Sequence, residues 1–257
     1  MTEIRSIRLD EADTFLHILC DVFDLDFFRA QGLFKEEPLF DLNRKWALFE
    51  GGEMVSILTT TPLKFGWGNA VGIAGVATKP TRQREGHARK LLERILVESE
   101  RAGEGPALLF AADIRLYEAA GFKPVDQVVR GPVLSLPMEI DLDPISVADL
   151  KQKYETWSAA DPSRLIRDDK RWEYWKWQFR ESYSHKGGYL CLENGQMREV
   201  ILSSPDKKMP VPTGTEWVGL ASMVTKLEIP LGAISVPMVL LGYNFPGVPQ
   251  MFMTDQF

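Results

Sequence analysis

The apolar residues of the N-terminal part follow the period of strands and of helices in turn. Residues 4–9 predict a first strand, and Asp10 is the predicted N-cap of an amphipathic helix. Residues 46–64 predict a hairpin, because Gly51 and Gly52 in its middle supply the positive φ that a tight turn needs.

A strand, a helix and a second strand are predicted next, at residues 71–78, 87–101 and 107–111. The helix is predicted because its apolar side chains recur at i, i+3, i+4, i+7 and i+8: Ala88, Leu91, Leu92, Ile95 and Leu96. Asp113 then caps a short helix that Gly121 closes. Such a βαβ unit makes its two strands parallel and predicts a ligand at their carboxyl ends.

The sequence pattern changes after Pro137: a helix is predicted at 147–159, and a tryptophan-rich run follows at 171–180. We therefore predict two domains, residues 1–140 and residues 141–257. The aromatic residues of the tryptophan-rich run share one helical face, which is more typical of a core than of a binding stripe: Trp172, Trp175 and Phe179.

Composition places the chain among globular proteins and excludes disordered and fibrous classes. It has 257 residues, of which 45% are hydrophobic, 11% aromatic and 26% charged. The 30 Lys and Arg residues against 36 Asp and Glu residues give a net charge of -6. Because nucleic-acid binding depends on cation–phosphate contacts, this balance predicts no nucleic-acid partner and favours a cationic or neutral substrate.

The cysteines, the charge-free segment and the N-terminal residues exclude further kinds of site and segment. Cys20 and Cys191 lie far apart without metal-ligand spacing, so neither a disulfide nor a metal site is predicted. Residues 229–254 carry no charge, but four prolines exclude a spanning helix there: Pro230, Pro237, Pro246 and Pro249. The N-terminal residues show no apolar targeting segment, which predicts a cytoplasmic protein without a membrane partner.

A local anion site is predicted between the strand and the helix of the βαβ unit. Residues 79–90 contain five cations and a single anion, Glu85. Gly86 and Ala88 are small, so the backbone can approach a ligand, and the first N–H groups of the helix point at it. This geometry suits a pyrophosphate. Neither the P-loop motif nor the dinucleotide fingerprint is present in the sequence.

The spacing Gln83-x-x-Gly86-x-Ala88 after a strand resembles the acetyl-coenzyme A motif of the GNAT superfamily of N-acetyltransferases. Residues 116–122, Leu-Tyr-Glu-Ala-Ala-Gly-Phe, resemble its second signature, LYxxxGF. The resemblance implies an α/β GNAT fold, with a mixed central sheet and flanking helices, and acetyl-coenzyme A as cosubstrate.

The resemblance also implies which residues hold the cofactor. The backbone of Val76, Ala77 and Thr78 would pair with the pantetheine arm. The following loop would hold the pyrophosphate: Gln83, Arg84, Glu85, Gly86, His87, Ala88 and Arg89. His87 occupies a variable motif position and is predicted as a bystander rather than a base. The nearby cations have two open interpretations, an outer phosphate site or a solvated rim: Lys79, Arg82 and Lys90.

Tyr117 is the predicted general acid, because the leaving thiolate needs a proton and GNAT enzymes commonly use the tyrosine of this signature. Many members have asparagine seven residues before this tyrosine, where this chain has Phe110. Here an acid, Asp113, stands four residues before it instead, and this shorter connection resembles the Eis-type branch. That branch implies a degenerate second GNAT-like domain here, without a complete sterol-carrier-like domain. It also implies that the terminal carboxylate of Phe257 serves as the base, whereas a frayed terminus would leave solvent or Asp26 in that role.

The predicted function is acetyl transfer to a primary amine. Asp26 and Phe27 lie among the acids and aromatics of a region that GNAT enzymes use for the acceptor, which favours a cationic amine. A solvated acidic face is the alternative for each acid. Two other functions remain open: a coenzyme A-binding sensor, and a structural protein whose charge-free tail forms a homo-oligomer interface.

Overall fold

A computed structural model describes residues 2–136, 142–178 and 181–257. Its helices are α1 (Ala12–Phe23), α2 (Phe27–Glu36), α3 (His87–Arg101), α4 (Arg115–Ala119), α5 (Val147–Ala159), α6 (Asp169–Trp177) and α7 (Ala221–Leu227). Its strands are β1 (Thr2–Ser6), β2 (Lys45–Glu50), β3 (Glu53–Phe65), β4 (Gly68–Thr78), β5 (Ala107–Ala111), β6 (Lys123–Pro132), β7 (Glu181–His185), β8 (Gly188–Glu193), β9 (Gln196–Ile201), β10 (Glu216–Leu220) and β11 (Ser235–Tyr243).

Within the described ranges, these strands form one mixed sheet in the order β1-β2-β3-β4-β5-β11-β6-β10-β9-β8-β7. The β4–β5 and β9–β10 pairs are parallel, and the other pairs are antiparallel. Strand β11 pairs with β5 on one side and with β6 on the other. The two predicted parts of the chain therefore share one sheet, and the division at residue 140 stays a prediction.

The N-terminal half of the sheet is covered on both faces. Helix α3 buries one apolar stripe against β2 and β3: Leu91, Leu92 and Ile95 pack with Leu48, Val55 and Leu58. Helix α1 covers the opposite face with a second core: Phe15 and Leu16 pack with Ala47 and Ile57. Neighbouring strand residues thus alternate between the two cores, as the two-residue period of a strand requires.

The hairpin and the βαβ unit are confirmed, since β2 pairs with β3 and β4 runs parallel to β5 on either side of α3. The first strand differs from the prediction. It spans Thr2–Ser6, and a 3-10 turn at Leu9–Glu11 separates it from α1. Glu11, rather than Asp10, closes that turn by accepting from the Arg8 backbone N–H at 2.8 Å.

Part of the charge-free tail is explained by its place in the sheet. Leu240 and Leu241 of β11 are fully buried at the centre of the sheet, where an unpaired charge would be costly. Trp172 and Trp175 are buried core residues, as predicted, and Phe179 lies outside the described residues. Within the described ranges, no helix combines the length and the apolar character that crossing a membrane requires.

Candidate active site

A cleft opens where β4 and β5 separate. The two strands pair only from Val71 to Ile73, and beyond that point β4 bends away. The bend coincides with a register shift against β3, where Gly75 adopts a φ of +58° that favours glycine. A Cβ at this glycine would lie 3.0 Å from Leu19 Cδ1. The sequence therefore needs glycine at the position that opens the cleft.

The cleft has a volume of about 570 Å³. Strands β4 and β5 form two of its walls, and Tyr117 of α4 lines it as well. Residues from α1 and from the end of the chain complete it: Leu19, Val22, Phe23, Leu25, Met238, Gln256 and Phe257. The structure thus brings the predicted Tyr117 and Phe257 together on one cleft.

The free edge of β4 beside this cleft contains the predicted pantetheine residues. Ala77 pairs with Ile57 of β3, and Ser56 Oγ lies 3.0 Å from the Ala77 carbonyl and 2.9 Å from Thr78 Oγ1. These contacts fix the strand from the β3 side. On the β5 side, Val76 and its neighbours lie beyond the paired region, so their backbone groups can pair with an extended ligand.

The predicted pyrophosphate loop leads into the N-terminus of α3. Gly86 is the N-cap with a φ of +83°, and a Cβ built there would meet no atom within 4 Å. Arg84 also has a positive φ, 67°. Gln83 Nε2 donates to the Thr78 carbonyl at 3.3 Å and ties the loop to β4. Because the cap residue has no side chain, the first N–H groups of α3 beyond it, including those of Ala88 and Arg89, can face an anion.

Part of the basic segment is neutralised by carboxylates. Arg82 Nη2 lies 2.7 Å from Glu50 Oε2 and 2.9 Å from Glu85 Oε2, and His87 Nε2 lies 2.9 Å from the same Glu85 oxygen. The Arg82 guanidinium, followed by His87, lowers the pKa of Glu85 to about 2. Lys79 is paired with Glu53 at 2.7 Å. The local charge available to a phosphate is therefore smaller than the sequence implies.

The same cluster is where a metal ion could be considered. The ligand atoms of Glu50, Glu85 and His87 lie within 4.8 Å of one another. Arg82 already bridges the two carboxylates, so one of their two negative charges is balanced without an ion. His87 is buried in this cluster and is not among the residues that line the cleft between β4 and β5.

Tyr117 is held by the short helix α4. The N-cap is Ile114 rather than the predicted Asp113, but Asp113 Oδ1 accepts from the Arg115 backbone N–H at 3.1 Å and so satisfies a first-turn donor of this helix. The Tyr117 ring packs against Phe122 at 6.3 Å between centroids. Burial, followed by the negative charge of Asp113, raises the pKa of the Tyr117 phenol. The hydroxyl therefore keeps its proton at neutral pH and can act as a donor.

The end of the chain is packed into the cleft. The Phe257 ring lies against Gly72, where a Cβ would come within 2.5 Å of the ring, and it contacts Phe110 at 5.6 Å between centroids. Phe110 thus supplies a packing surface at the position where many GNAT members have asparagine. Gly72 provides the space for the ring.

A buried charge network anchors this end. Arg167 Nε donates to Asp255 Oδ1 at 2.7 Å, and Arg167 Nη2 donates to Glu199 Oε2 at 2.7 Å. The Arg167 and Glu199 side chains have no exposed surface. Burial raises the pKa of Glu199, but the Arg167 charge outweighs it and the pKa is lowered overall. The sequence does not predict this network, because Glu199 stands beside Arg198 in the half-polar strand β9 and Asp255 follows the charge-free tail without a local partner.

The predicted acceptor residues lie elsewhere. Asp26 Oδ1 accepts from the Arg29 backbone N–H at 2.7 Å and caps α2. Phe27 stacks on His17 with 3.8 Å between ring centroids. Neither side chain is among the residues that line the cleft. This part of the chain instead contributes the apolar side chains of Leu19, Val22, Phe23 and Leu25, whose convergence depends on how α1 packs on the sheet.

Comparison with known proteins agrees with this geometry. Residues 3–125 match the family described as Acetyltransferase (GNAT) domain. No curated protein sequence matches the chain significantly. A GCN5-related N-acetyltransferase from Anabaena variabilis is similar in structure, with a TM-score of 0.70 and 15% identity over 94% of this chain and 72% of that one.

Two further solved structures show the same likeness. A GCN5-related N-acetyltransferase from Kribbella flavida has a TM-score of 0.69 at 14% identity, covering 94% of this chain and 70% of its own. Eis1 from Mycobacterium abscessus has a TM-score of 0.61 at 16% identity, covering 93% and 73%. Residues 3–125, just under half of the chain, thus match the acetyltransferase (GNAT) domain family, and the mixed central sheet with flanking helices is the GNAT fold.

Proposed function

We propose that the protein transfers the acetyl group of acetyl-coenzyme A to a primary amine. The observation that carries the proposal is the shared cleft. The free edge of β4 and the half-buried phenol of Tyr117 both border it, and the glycine-capped N-terminus of α3 follows β4 after a 3-10 turn at Pro80–Arg82 and a short loop. An extended thioester fits this arrangement, with its phosphates at the helix and its sulfur toward the phenol.

Each part has a role in this proposal. The backbone of Val76, Ala77 and Thr78 pairs with the pantetheine arm, and the N–H groups of the loop from Gln83 to Arg89 bind the pyrophosphate. Arg84 is exposed and could add a side-chain contact. The side chains of Glu85 and His87 contact Arg82 and each other, so these two residues would contribute through their backbone.

The proposed chemistry is direct transfer. The neutral amine nitrogen attacks the thioester carbonyl carbon, a C–N bond forms, and the C–S bond breaks. Tyr117 gives its proton to the leaving thiolate, and solvent returns a proton to the phenolate. The terminal carboxylate of Phe257 accepts the proton that the amine loses. Its support is the packing of the Phe257 ring against Gly72 on the same cleft.

The second part of the chain, residues 141–257, would serve to shape the acceptor side of the cleft. Met238, Gln256 and Phe257 from this part line it. The alternative of an oligomerisation tail keeps part of its support, because Ile234 and Val236 are 56% and 47% exposed although Leu240 and Leu241 of β11 are buried. The remaining alternative, a sensor of acyl-coenzyme A, predicts binding without turnover.

Two measurements test the function. Titration calorimetry should find a single acetyl-coenzyme A site per chain. Without an amine, free coenzyme A thiol should be released slowly, because a competent site hydrolyses some acetyl-coenzyme A. The rate of thiol release should rise when amines are added. Binding with no thiol release under any condition would favour the sensor, and absence of binding would refute both.

The loop can be tested with a pair of glycine variants at the two ends of α3. Gly86→Ala forces a side chain into a left-handed conformation at about 1–2 kcal/mol, so the loop should shift and the Kd for acetyl-coenzyme A should rise about tenfold. Gly103→Ala is the matched control, because Gly103 has a φ of +77° and equally open surroundings. Equal Kd values for the two variants would remove the loop from the binding site.

The proposed base can be tested by extending the chain. Two residues added after Phe257 keep its ring but displace the carboxylate, so kcat should fall by about a hundredfold or more while the Kd for acetyl-coenzyme A stays unchanged. The same two residues added before Met1 provide the control. An extended protein with full kcat across the pH range would exclude the terminal carboxylate and leave solvent as the proton acceptor.

A further inference from the structure

The acceptor side of the cleft is apolar. The lining residues outside β4, β5, α4 and the β5–α4 connection at residues 112–113 come from α1, from the α1–α2 corner and from the C-terminal part of the chain. They are almost all hydrocarbon or aromatic side chains: Leu19, Val22, Phe23, Leu25, Met238, Gln256 and Phe257. Gln256 supplies the polar side chain of this group.

Two of these apolar side chains are about half exposed. Phe23 is 48% exposed and Leu25 is 47% exposed, and both border the cleft. Large apolar side chains gain free energy when a ligand removes them from water. Apolar surface around a concave site with a few polar groups is typical of a site for a small apolar ligand.

The carboxylates do not favour a polycation here. Among the lining residues, all of which the structure describes, Asp113 has the one side-chain carboxylate, and Arg115 Nε lies 2.9 Å from it. Asp21, Asp24 and Asp26 are exposed, and none of them lines the cleft. An amine with several charges would therefore lose water around its second ammonium without gaining a partner.

We infer that the acceptor is a small primary amine on an apolar body, aliphatic or aromatic, that contacts Phe23 and Leu25. The inference rests on the proposed acetyl transfer. A cavity of about 570 Å³ must also admit the thioester end of the cofactor, so the remaining space suits a small molecule. An apolar wall also disfavours the ammonium form, because burial lowers the pKa of an amine, and the neutral form is the one that attacks.

The test is an acceptor panel with acetyl-coenzyme A and thiol release as the readout. Phenethylamine, tryptamine and hexylamine represent apolar bodies, and putrescine and spermidine represent polycations. The kcat/KM for the apolar amines should exceed that for the polycations by about tenfold or more, the scale on which apolar pockets discriminate. Repeating the panel with hexanoyl-coenzyme A separates an apolar acceptor from a long acyl chain.

A matched pair of variants tests whether Phe23 and Leu25, the apolar wall of the cleft, cause this preference. Leu25→Asp places a carboxylate on the cleft and should lower kcat/KM for hexylamine by about tenfold or more. Leu33→Asp is the control, because Leu33 of α2 is 49% exposed, as Leu25 is 47% exposed, and does not line the cleft. The Kd for acetyl-coenzyme A should stay unchanged in both variants.

The outcomes are distinct. Preference for apolar amines that Leu25→Asp abolishes and Leu33→Asp keeps would support the inference. Preference for spermidine, or equal effects of the two variants, would overturn it while leaving acetyl transfer intact. Faster transfer of hexanoyl than of acetyl groups to every amine would assign the wall to the acyl chain and also overturn it. No thiol release with any amine would refute the proposed function itself.

Discussion

Replacing Tyr117 by phenylalanine should lower kcat by about 10²- to 10⁴-fold, the usual contribution of a positioned general acid. The variant removes one hydroxyl and keeps the ring contact with Phe122. The Kd for acetyl-coenzyme A should therefore stay unchanged, because the ring still fills the space beside the cleft. Stopped-flow thiol release with saturating amine, together with titration calorimetry, measures both quantities.

Tyr243→Phe is the matched control for this variant. Tyr243 packs on the other side of Phe122 at 5.5 Å between ring centroids, and its side chain is not among those that line the cleft. Removing its hydroxyl should leave kcat within about twofold, since it touches no reacting group. A loss of kcat in both variants alike would mean that aromatic packing, rather than proton donation, explains the Tyr117 effect.

The pH profile gives an independent check on the same role. A general acid must be protonated, so activity is present below its pKa and is lost as the pH rises through it. Burial and the charge of Asp113 raise the pKa of Tyr117 above its usual value. The alkaline loss of kcat should therefore lie above about pH 10, the ordinary phenol pKa, and should be absent in Tyr117→Phe.

Local patterns predicted the part of the fold that holds the cofactor loop. Helix α3 begins at His87 and strand β5 spans Ala107–Ala111, as the periodicity and the glycines indicated. These elements were predictable because neighbouring residues decide them: the apolar spacing sets the buried stripe, and Gly86 and Gly103 set its ends. The first strand was placed later in the chain than it lies, since a 3-10 turn interrupts the polar stretch before α1.

Long-range pairing was not predictable in the same way. Strand β11 lies between β5 and β6, more than a hundred residues away from either along the chain, and no local pattern encodes that choice of neighbours. The charge-free tail was visible, but interface and core both explain such a tail. The structure buries Leu240 and Leu241 at the centre of the sheet and leaves Ile234 and Val236 exposed, so the core accounts for only one part of the tail.

The candidate site likewise has one part that local motifs predict and another part that depends on tertiary packing. Tyr117 and the loop around Gly86 were found because motif spacing reflects local geometry. The apolar residues on the acceptor side of the cleft were not found, because Leu25 and Met238 come together only through tertiary packing. Charge alone pointed to Asp26, which caps α2 instead. A carboxylate in the sequence does not show whether it faces a ligand or a backbone N–H group.

The buried network around Arg167 gives the second large expected effect. Arg167→Met should lower the free energy of unfolding by about 3–5 kcal/mol, because it leaves buried carboxylates without their cation. Glu199 would keep hydrogen bonds from Tyr189 Oη at 2.5 Å and Trp175 Nε1 at 3.1 Å, which limits the loss to the ion pairs. Urea unfolding followed by tryptophan fluorescence measures the change.

An exposed ion pair provides the comparison. Arg130 pairs with Glu216 at the surface of the sheet, where both side chains are partly solvated. Arg130→Met should shift the urea midpoint far less than Arg167→Met, since water replaces the lost partner. Similar shifts in the two variants would show that the Arg167 network contributes no more than surface charge.

Arg167→Met should reverse the direction in which the free energy of unfolding changes with pH. In the wild type the pKa of Glu199 is lowered, so its contribution to stability is present above the ordinary carboxyl pKa and is lost as the pH falls through the lowered value. In Arg167→Met the unpaired buried Glu199 carboxylate favours its protonated form, so its pKa rises above that of the unfolded chain. The variant should then become more stable as the pH falls from 7 toward 5.

The same variant separates anchoring from chemistry at the chain end. Arg167 holds Asp255, two residues before the Phe257 ring that lies on the cleft, so its loss should free this end and lower kcat. The triple variant Arg167→Met, Glu199→Gln, Asp255→Asn removes the three charges of the network and should recover part of the stability; the recovery is incomplete because the buried Arg171 loses the charge of Asp255. It should not recover kcat, since the anchor is still absent. Recovery of both together would mean that the network acts through stability alone.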